Sequence, residues 1–446
     1  MGVEGRSQKP VILPERCHSC DVCLRGCPAE LLPEYRQEKK SLRGLLYQKK
    51  ISTPSEKIPL PPCQAACPIH QDTRGYVALI ARGKFREASE LIREVNPLPA
   101  VCGFICHHPC EEACLREAVD HPIPIRLLKR FVAEYVRKGS RIERRPRKKR
   151  RGRILVIGSG PAGLAASNDL SLLGYDVTIF EALPVLGGML WVGIPEFRLP
   201  REILKMEIDG IRQLGVEMKT NHLFRFDGNG RTFRKLGFQA VFLSIGAHRS
   251  LKLNISGEKL QGVLPGVEFL RDVNLGRKIE LGGKVAVIGG GNVAIDVARS
   301  ARRLSVARVE IFCLEAQKEM PAIHDEVEGA KREGVKIHSQ ISPIRIIGRA
   351  GKVIGVEFMR SGRMKGSTFR ILSDTVIKAI GQSVDRNILK ELDTNQDGTV
   401  RVRPETGETS LKGVFAGGDV VTGPGWAIDA IAAGKKGAKS IHAYLS

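Results

Sequence analysis

The sequence predicts an α/β protein in which two parallel-sheet domains are interleaved along the chain and follow a cysteine-rich region. Two stretches, 153–182 and 284–315, each read as a buried strand, a glycine turn, a helix and a second strand. Strand-like sequences at 240–247 and 375–382 flank the second stretch, which indicates that its domain is inserted within the first. Ten of the eleven cysteines lie between Cys17 and Cys114, ahead of both stretches.

Length and composition restrict the class of protein. The chain has 446 residues and is 42% hydrophobic, which is enough for about three domains with buried cores. It contains no run of about 18 apolar residues, and its first residues lack the apolar core of a secretory signal. We therefore expect a cytoplasmic protein without membrane insertion. In a reducing compartment, clustered cysteines bind metal more often than they form disulfides.

The formal charge of +23 is unevenly distributed. The segment 137–153 carries eleven Lys or Arg residues and one Glu. It is either a solvated linker or an electrostatic patch for an acidic partner, such as a small electron carrier or nucleic acid. The absence of interleaved aromatic residues and of a helix-turn-helix pattern disfavours nucleic acid.

The first glycine turn fits the pattern G-x-G-x-x-G with Gly158, Gly160 and Gly163. In this pattern the first glycine permits a tight turn, the second lets the backbone approach a pyrophosphate, and the third allows close packing of helix on strand. Glu181 ends the next strand, where a carboxylate can accept hydrogen bonds from a ribose 2′-OH. The alternative is a purely structural turn.

The second turn has Gly289 and Gly291, with Ala294 in place of the third glycine. Two such turns indicate two Rossmann-like domains that bind two dinucleotides. If one were FAD and the other a nicotinamide cofactor, a hydride could pass between their stacked rings. The sequence GVFAGGDVVTGPGW near the carboxyl terminus places Gly418 and Asp419 between a strand and a helix. An aspartate there can hold the ribityl chain of a flavin.

The first four cysteines match a ferredoxin pattern. Cys17, Cys20, Cys23 and Cys27, with Pro28, fit C-x2-C-x2-C-x3-C-P. We interpret residues 1–50 as a ferredoxin-like cysteine segment that binds a 4Fe-4S cluster. A zinc site is the alternative, although zinc sites more often use two separated pairs. The last cysteine of such a run can also serve a second cluster.

From about residue 60 to the carboxyl terminus, the chain resembles the small subunit of glutamate synthase and its relatives, including the flavin-containing half of dihydropyrimidine dehydrogenase. The resemblance rests on eight motifs in one order: PCQAACPIH, NPLPAVCGFICHHPC, GSGPAGLAAS, LGGMLWVGIPEFRLP, VIGGGNVAIDVAR, EMPA, AIGQ and GVFAGGDVV. It implies the fold of pyridine nucleotide-disulfide oxidoreductases behind an α-helical iron-sulfur domain. The expected activity is NAD(P)H oxidation, with electrons leaving through FAD and 4Fe-4S clusters to a partner.

The resemblance also implies site residues. It assigns FAD to Gly158, Gly160, Pro161, Gly163, Glu181, Gly188, Arg198 and Asp419, and NAD(P)H to Gly289, Gly291, Asn292 and Ala294. Further candidate cofactor-binding residues are Ala162, Gly187, Gly246, Val293, Glu315, Gly381 and Gly418. No catalytic acid or base is predicted apart from the cofactor sites.

Six further cysteines match the helical iron-sulfur domain of this family: Cys63, Cys67, Cys102, Cys106, Cys110 and Cys114. Two departures affect the ligand sets that the resemblance implies. Ser55 and Ile58 stand where the family has two more cysteines, and Lys129 stands where it often has a Gln or Glu ligand. Cys102 can replace that ligand beside Cys67, Cys106 and Cys110. We expect at least two 4Fe-4S clusters and leave a third open.

One departure bears on the choice of nucleotide. Glu315 stands where NADPH-using relatives carry an arginine. A carboxylate repels a 2′-phosphate and suits a free 2′-OH, which favours NADH over NADPH. Arg299, Arg302 and Arg303 remain candidates to reach a phosphate.

The predicted organisation has five parts: 1–50, the ferredoxin-like segment; 51–140, the helical iron-sulfur domain; 141–153, the basic linker; 154–255 with 380–446, the FAD domain; and 256–379, the NAD(P) domain. Three functions follow. The first is an electron-input subunit that serves a catalytic partner subunit. The second is a stand-alone NAD(P)H:ferredoxin-type reductase, with the linker docking an acidic carrier. The third is a non-catalytic scaffold or nucleic-acid binder.

Overall fold

A computed structural model describes residues 60–139, 152–226, 231–361 and 366–446. The described residues fall into two compact units, one ending at Gly139 and one beginning at Gly152. The ferredoxin-like segment, with Cys17, Cys20, Cys23 and Cys27, lies outside the described residues. So does nearly all of the basic linker.

The first unit is helical. Its helices are α1 (Pro62–Ala65), α2 (Thr73–Ala81), α3 (Phe85–Arg93), α4 (Pro99–Ile105), α5 (Pro109–Glu112) and α6 (Ile125–Gly139). Gly83 separates α2 from α3 with a φ of +71°, a conformation that glycine adopts readily. The buried side chains of Tyr76, Ile92 and Val132 form the centre of the unit. The cysteines therefore lie on short helices and loops around one small core.

The second unit contains two five-stranded parallel sheets. The strands of the first are β1 (Arg153–Ile157), β2 (Asp176–Phe180), β3 (Glu217–Lys219), β4 (Ala240–Leu243) and β15 (Val414–Ala416). Their spatial order is β15-β4-β1-β2-β3. Its helices are α7 (Pro161–Leu172), α8 (Met189–Val192), α9 (Arg201–Arg212), α10 (Arg231–Lys235), and two that follow β15, α14 (Asp419–Thr422) and α15 (Ala427–Leu445). β1 and β4 are almost wholly buried apolar strands, as expected where helices cover a parallel sheet.

The second sheet repeats this plan. Its strands are β6 (Val263–Pro265), β7 (Lys284–Ile288), β8 (Arg308–Phe312), β9 (Lys336–His338) and β13 (Thr375–Lys378). Their spatial order is β6-β13-β7-β8-β9. Three helices accompany it: α11 (Gly266–Asn274), α12 (Asn292–Arg303) and α13 (His324–Arg332). Because β15 returns to the first sheet after β13, the two sheets are interleaved along the chain, which confirms the predicted fold class.

Two short strands connect the sheets. β5 (Arg249–Ser250) pairs antiparallel with β14 (Gln382–Ser383), so the segments that leave and re-enter the first domain lie side by side.

A three-stranded antiparallel sheet of β10 (Ile341–Arg349), β11 (Lys352–Arg360) and β12 (Thr368–Leu372) was not predicted. It packs on the second parallel sheet through Val356 and Phe358. The domain boundaries given above remain proposals.

Helices α7 and α15 pack closely enough that only glycine fits at their crossing. A Cβ at Gly434 would lie 2.1 Å from the carbonyl oxygen of Ala162. This contact fixes the carboxyl-terminal helix against the helix that follows the first glycine turn. None of the described helices is long and apolar enough to cross a membrane.

Candidate functional site

The first glycine turn connects β1 to α7 and has the geometry of a phosphate cradle. Gly158 has a φ of +98°, and a Cβ there would lie 2.5 Å from the carbonyl oxygen of Ser244. A Cβ at Gly163 would lie 2.0 Å from the carbonyl oxygen of Gly158, so a side chain would separate helix from strand. Gly160 caps the helix, and no other residue's heavy atom lies within 4 Å of the position that a Cβ would take there. Free N–H groups at such a helix start favour an anion.

Glu181 is buried behind this turn and holds it in place. One carboxylate oxygen, Oε2, accepts hydrogen bonds from the backbone N–H of Ser159 at 2.9 Å and from its hydroxyl at 2.6 Å. The other, Oε1, accepts from the N–H of Leu183 at 2.8 Å. The hydroxyl of Ser159 in turn accepts from the N–H of Gly187 at 3.0 Å. The sequence prediction did not include Ser159, which joins the turn to the 187–188 segment.

The segment 187–188 closes over the first turn. Gly188 has a φ of +55°, and a Cβ there would lie 2.9 Å from the Cα of Gly160. At the carboxyl end of β15, Gly418 has a φ of +78° and begins α14, whose first residue is Asp419. A Cβ at Gly418 would lie 3.0 Å from the Cβ of Ala162. The structure thus brings the predicted flavin residues of three distant sequence motifs together.

Burial raises the pKa of Asp419 to about 6, with a backbone N–H from Gly425 opposing the shift and the charge of Asp429 adding a smaller part of it. A half-buried carboxyl near a helix start can hold hydroxyl groups of a ribityl chain as a hydrogen-bond acceptor. Its direct contact with a flavin remains a prediction.

The second glycine turn connects β7 to α12 and repeats the cradle. Gly289 has a φ of +137°, and a Cβ there would lie 2.2 Å from the carbonyl oxygen of Ala379. Gly291 caps the helix and faces open space. A Cβ at Gly290 would lie 2.5 Å from Oε2 of Glu315, so this carboxylate stands directly beside the turn. That oxygen is buried and has no hydrogen-bond partner.

An unpartnered buried carboxylate oxygen is unfavourable by about 1–3 kcal/mol or more. A ribose hydroxyl that donates a hydrogen bond to Glu315 Oε2 would remove this penalty. The open cradle at Gly291 and the unsatisfied oxygen of Glu315 together fit the pyrophosphate and ribose of a dinucleotide. The open cradle at Gly160 fits the pyrophosphate of a second dinucleotide, while Glu181 behind it has both oxygens bonded within the protein.

Arg198 was assigned to the flavin, but the structure places its side chain against the second domain. Its side chain is 9% exposed, and its guanidinium forms ion pairs with Asp296 on α12, at 2.7 Å, and with Glu326 on α13, at 3.0 Å. Burial raises the pKa of Asp296 to about 6, with Arg198 opposing the shift. Nothing local in the sequence indicated this contact. The predicted contact between Arg198 and the flavin remains a prediction.

The three arginines of α12 are engaged with α13 and the loop after α12. Arg299 pairs with Glu326 and with Glu333, the latter at 2.8 Å. Arg303 pairs with Glu333 and lies 3.8 Å from the ring centroid of Phe197. Arg302 donates to the carbonyl oxygen of Ala307 at 2.8 Å. These bonds use the guanidinium groups that were candidates for a 2′-phosphate.

The other candidates occupy the following positions. Asn292 begins α12, and its side-chain oxygen accepts from the N–H of Ile323 at 3.0 Å. Gly246 and Gly381 have φ of +67° and +118° in the two crossing segments. Pro161 and Ala162 form the first turn of α7, and Val293 and Ala294 the first turn of α12.

Four cysteines of the helical unit are buried: Cys67, Cys102, Cys106 and Cys110. Cys63 and Cys114 are half-buried, and all six are free thiols. Burial raises the pKa of the Cys110 thiol to about 12, with Lys129 opposing the shift. Burial also raises the pKa of Cys63, and a nearby thiolate at Cys114 would raise it further. Buried thiols of raised pKa become thiolates most readily when they bind metal.

In the described residues no three His, Cys, Asp or Glu side chains converge as a single metal ion requires. A 4Fe-4S cluster binds its four thiolates on four different iron atoms, so they need not converge on one point. Unsatisfied polar groups lie in the same unit. Gln71 is 1% exposed with neither amide atom bonded, and Asn96 is 0% exposed with its Nδ2 unbonded. These amide groups fit a cluster whose sulfurs accept hydrogen bonds.

Comparison with known proteins agrees with this geometry. The family "Pyridine nucleotide-disulphide oxidoreductase" matches residues 152–434, and "Dihydroprymidine dehydrogenase domain II, 4Fe-4S cluster" matches residues 57–141. Among solved structures, FprA from Mycobacterium tuberculosis in complex with NADPH has a TM-score of 0.55 at 18% identity, covering 66% of this chain and 84% of FprA. Thioredoxin reductase from Lactococcus lactis has a TM-score of 0.53 at 20% identity, covering 66% and 99%. At these identities the likeness concerns the fold alone.

Among curated proteins, the chain is 41% identical over 423 residues to the NADP(+)-dependent formate dehydrogenase subunit beta of Moorella thermoacetica, covering 86% of this chain and 60% of that protein. It is 36% identical to the NADPH-Fe(3+) oxidoreductase subunit beta of Geobacter sulfurreducens, covering 86% and 63%. The chain thus spans less than two thirds of the length of these two relatives.

The NAD-dependent dihydropyrimidine dehydrogenase subunit PreT of Escherichia coli is matched over nearly its whole length. It is 34% identical over 389 residues, which cover 86% of this chain and 91% of PreT. The chain therefore belongs to the pyridine nucleotide-disulphide oxidoreductase family, in the group with a dihydropyrimidine dehydrogenase-type 4Fe-4S domain, as an NAD(P)H-dependent FAD and iron-sulfur oxidoreductase.

Proposed function

We propose that this chain is the electron-input subunit of a larger complex, oxidising NADH and passing electrons through FAD and 4Fe-4S clusters to a partner protein. When bound, FAD accepts a hydride from the nicotinamide and releases electrons one at a time. The open cradles at Gly160 and Gly291 support this proposal, because each would accommodate the pyrophosphate of one dinucleotide.

One observation carries the proposal. Enzymes of this fold that reduce disulfides use a cysteine pair close to the flavin, but Cys313 is the only cysteine after residue 114. It is 1% exposed, it lies just past β8, and its thiol is 3.6 Å from the carbonyl oxygen of His338. This unit therefore lacks the cysteine pair through which those enzymes pass electrons on, and this favours an exit through the other ten cysteines.

Names of relatives support a subunit role. Two of them are beta subunits and a third is a dehydrogenase subunit. We propose a catalytic partner subunit of the synthase, hydrogenase, dehydrogenase or disulfide-reductase type. The basic segment 137–153 favours a second candidate, a stand-alone NAD(P)H:ferredoxin-type reductase that docks an acidic carrier.

The nucleotide choice rests on Glu315. The relatives include NADP(+)-dependent, NADPH-using and NAD-dependent proteins, so their names do not decide between NADH and NADPH. The free Oε2 of Glu315 beside Gly290 suits a 2′-OH and repels a 2′-phosphate. The ion pairs of Arg299 and Arg303 with Glu333 leave these guanidinium groups already engaged.

Substitutions in the amino-terminal cysteine quartet distinguish reduction of the flavin from transfer of electrons to the partner. We expect the purified chain to contain one FAD and about eight or more iron atoms. Replacing Cys20 and Cys23 with Ser should spare NADH oxidation by artificial acceptors that react with the flavin. It should abolish reduction of the protein partner, because the amino-terminal quartet is furthest in sequence from the flavin.

Fewer than about four iron atoms with stoichiometric zinc would refute the cluster assignment. If a Cys20/Cys23 variant reduces its partner at the full rate, electrons leave elsewhere, and the cluster held by Cys63 and Cys114 becomes the proposed exit. For the second candidate, transfer to an acidic carrier should weaken steeply above about 0.15 M salt, where the screening length is about 8 Å.

A further inference from the structure

Helix α6 buries a lysine in the core of the helical unit. Lys129 is 5% exposed, and its neighbours on the same helix face, Ile125 and Val132, are 2% and 0% exposed. The spacing of i, i+4 and i+7 places the ammonium on the apolar face of the helix. An ammonium in such a core is strongly unfavourable unless a negative charge compensates it.

The strongest electrostatic neighbours of this ammonium are the phenol of Tyr76 and the thiols of Cys102, Cys106 and Cys67. None of them is a carboxylate. Tyr76 is 0% exposed, and burial raises its pKa well above its ordinary value, so the phenol is neutral. Among these four neighbours, only the cysteine sulfurs can supply the compensating negative charge.

Close helix packing holds Lys129 in this position. A Cβ at Gly103, next to Cys102, would lie 2.8 Å from the Cα of Arg130. One turn earlier, the guanidinium of Arg126 donates to the carbonyl oxygen of Cys106 at 3.4 Å, and its backbone N–H donates to Glu111 at 2.6 Å. These contacts fix α6 against both the helix and the loop that carry the cysteines.

A neutral thiol does not compensate an ammonium, but a cluster with thiolate ligands does. A 4Fe-4S cluster bound by four thiolates is an anion, and its reduction adds one electron without making or breaking a bond to the protein. A fixed positive charge in a medium of low dielectric constant stabilises the more negative, reduced form. Net charge and hydrogen bonds to sulfur are the main protein contributions to the potential of such clusters.

We propose that Lys129 is the fixed counter-charge of a 4Fe-4S cluster bound among Cys67, Cys102, Cys106 and Cys110, and that it raises the reduction potential of this cluster. The assignment rests on the proposed function, since it requires the cluster. Lys129 is a positioning residue and not a ligand, because an ammonium has no lone pair to bind iron. Its cluster accepts an electron more readily than one without a buried cation.

The test is an anaerobic redox titration of the full chain, followed by electron paramagnetic resonance of the reduced clusters. Lys129→Met keeps the length of the side chain and removes the charge. We expect the equilibrium constant for reducing one cluster to fall at least tenfold, which is 59 mV for one electron. Lys129→Arg should stay close to wild type. The signal of any other cluster should not shift.

Lys84→Met is the matched control, since Lys84 belongs to the same unit but is 56% exposed and solvent screens its charge. An unchanged titration in an iron-replete Lys129→Met chain would overturn the proposal. If that variant binds no iron, Lys129→Arg decides: iron at the wild-type level supports the counter-charge, and loss of iron refutes it. A wild-type chain with zinc in place of iron would instead contradict the proposed function.

Discussion

The two glycine turns of the second unit share one plan but use their carboxylates differently. In both, a buried strand, a glycine turn, a helix and a second strand precede a glutamate. Glu181 has both oxygens bonded within the protein, to Ser159 and to Leu183. Glu315 has one buried oxygen that bonds to nothing. The first glutamate therefore builds its turn, while the second is available to a ligand.

We therefore expect Glu181 to support the structure of its turn and Glu315 to affect which nucleotide its turn selects. Removing a carboxylate that accepts three hydrogen bonds disturbs the turn before any nucleotide arrives. Replacing Glu315, whose Oε2 accepts no hydrogen bond from the protein, should change only what the second turn can bind.

Glu181→Ala should have the largest effect. It leaves the N–H of Ser159 without its acceptor, and hydrogen bonds to charged groups contribute about 1.5–3 kcal/mol each. We expect FAD affinity to fall at least about a hundredfold, since about 1.4 kcal/mol corresponds to a factor of ten. Titration of the flavin-free chain with FAD, followed by flavin fluorescence, measures this loss.

A graded variant sharpens this prediction. Ser159→Ala removes the hydroxyl but keeps the N–H bond to Glu181, so we expect FAD affinity to fall less than tenfold. Glu217→Ala is the control, because that carboxylate lies on the same sheet and its side chain is 54% exposed. Equal FAD affinity in Glu181→Ala and Glu217→Ala would show that Glu181 does not organise the turn.

Glu315→Arg should change which nucleotide is used without loss of FAD. We expect the ratio of kcat/KM for NADH over NADPH to fall at least tenfold, because a guanidinium pairs with a 2′-phosphate. Glu315→Gln should raise NADPH use with less loss of NADH use, since it removes the repulsion and keeps an acceptor. Stopped-flow bleaching of the flavin by each nucleotide measures both effects.

Glu319→Gln is the control for Glu315→Gln, because Glu319 is exposed at the end of the short 3₁₀ helix Gln317–Glu319 that follows. Equal rates with both nucleotides in the wild type, unchanged by substitution at Glu315, would remove the selective role of this residue. The two turns would then differ only in their hydrogen bonds.

The smallest effect concerns Asp419, the second carboxyl of the flavin side. Burial raises its folded pKa to about 6 from an ordinary value of 3.8. A raised carboxyl pKa stabilises the fold below the unfolded pKa, and this contribution is lost as pH rises through the folded pKa. The Tm of flavin-free wild type should therefore fall by a few degrees relative to Asp419→Asn between about pH 4 and pH 7. If the Tm of the two proteins changes with pH in parallel, the raised pKa of Asp419 is contradicted.

The sequence predicted the turns well because their determinants are local. Gly158, Gly163 and Gly289 each need glycine for a reason visible within one βαβ unit, either a positive φ or a close backbone contact. The crossing segments were also predictable, since two strand-like stretches flank the inserted domain. Helix α2 ends shortly before Gly83 and α3 shortly before Asn96 and Pro97, which are residue types that often end helices.

The contacts between distant segments were not predictable from local pattern. Arg198 and Asp296 lie 98 residues apart, and each alone reads as an ordinary surface charge. The sequence could not predict that Glu315 has an unbonded oxygen, because Glu315 and Glu181 occupy similar positions in their motifs. Lys129 did carry a signal that the sequence prediction missed, because it occupies the apolar face of α6 between Ile125 and Val132.

We propose that electrons from NADH pass through the flavin into iron-sulfur clusters of the same chain. An anaerobic titration of the purified chain with NADH, followed by visible absorption and by electron paramagnetic resonance together, shows whether they do. We predict that the flavin bleaches and that signals of reduced 4Fe-4S clusters appear, with NADH consumed beyond the one equivalent that FAD alone requires. Complete flavin bleaching at one equivalent, with iron present and no cluster signal, would contradict the account.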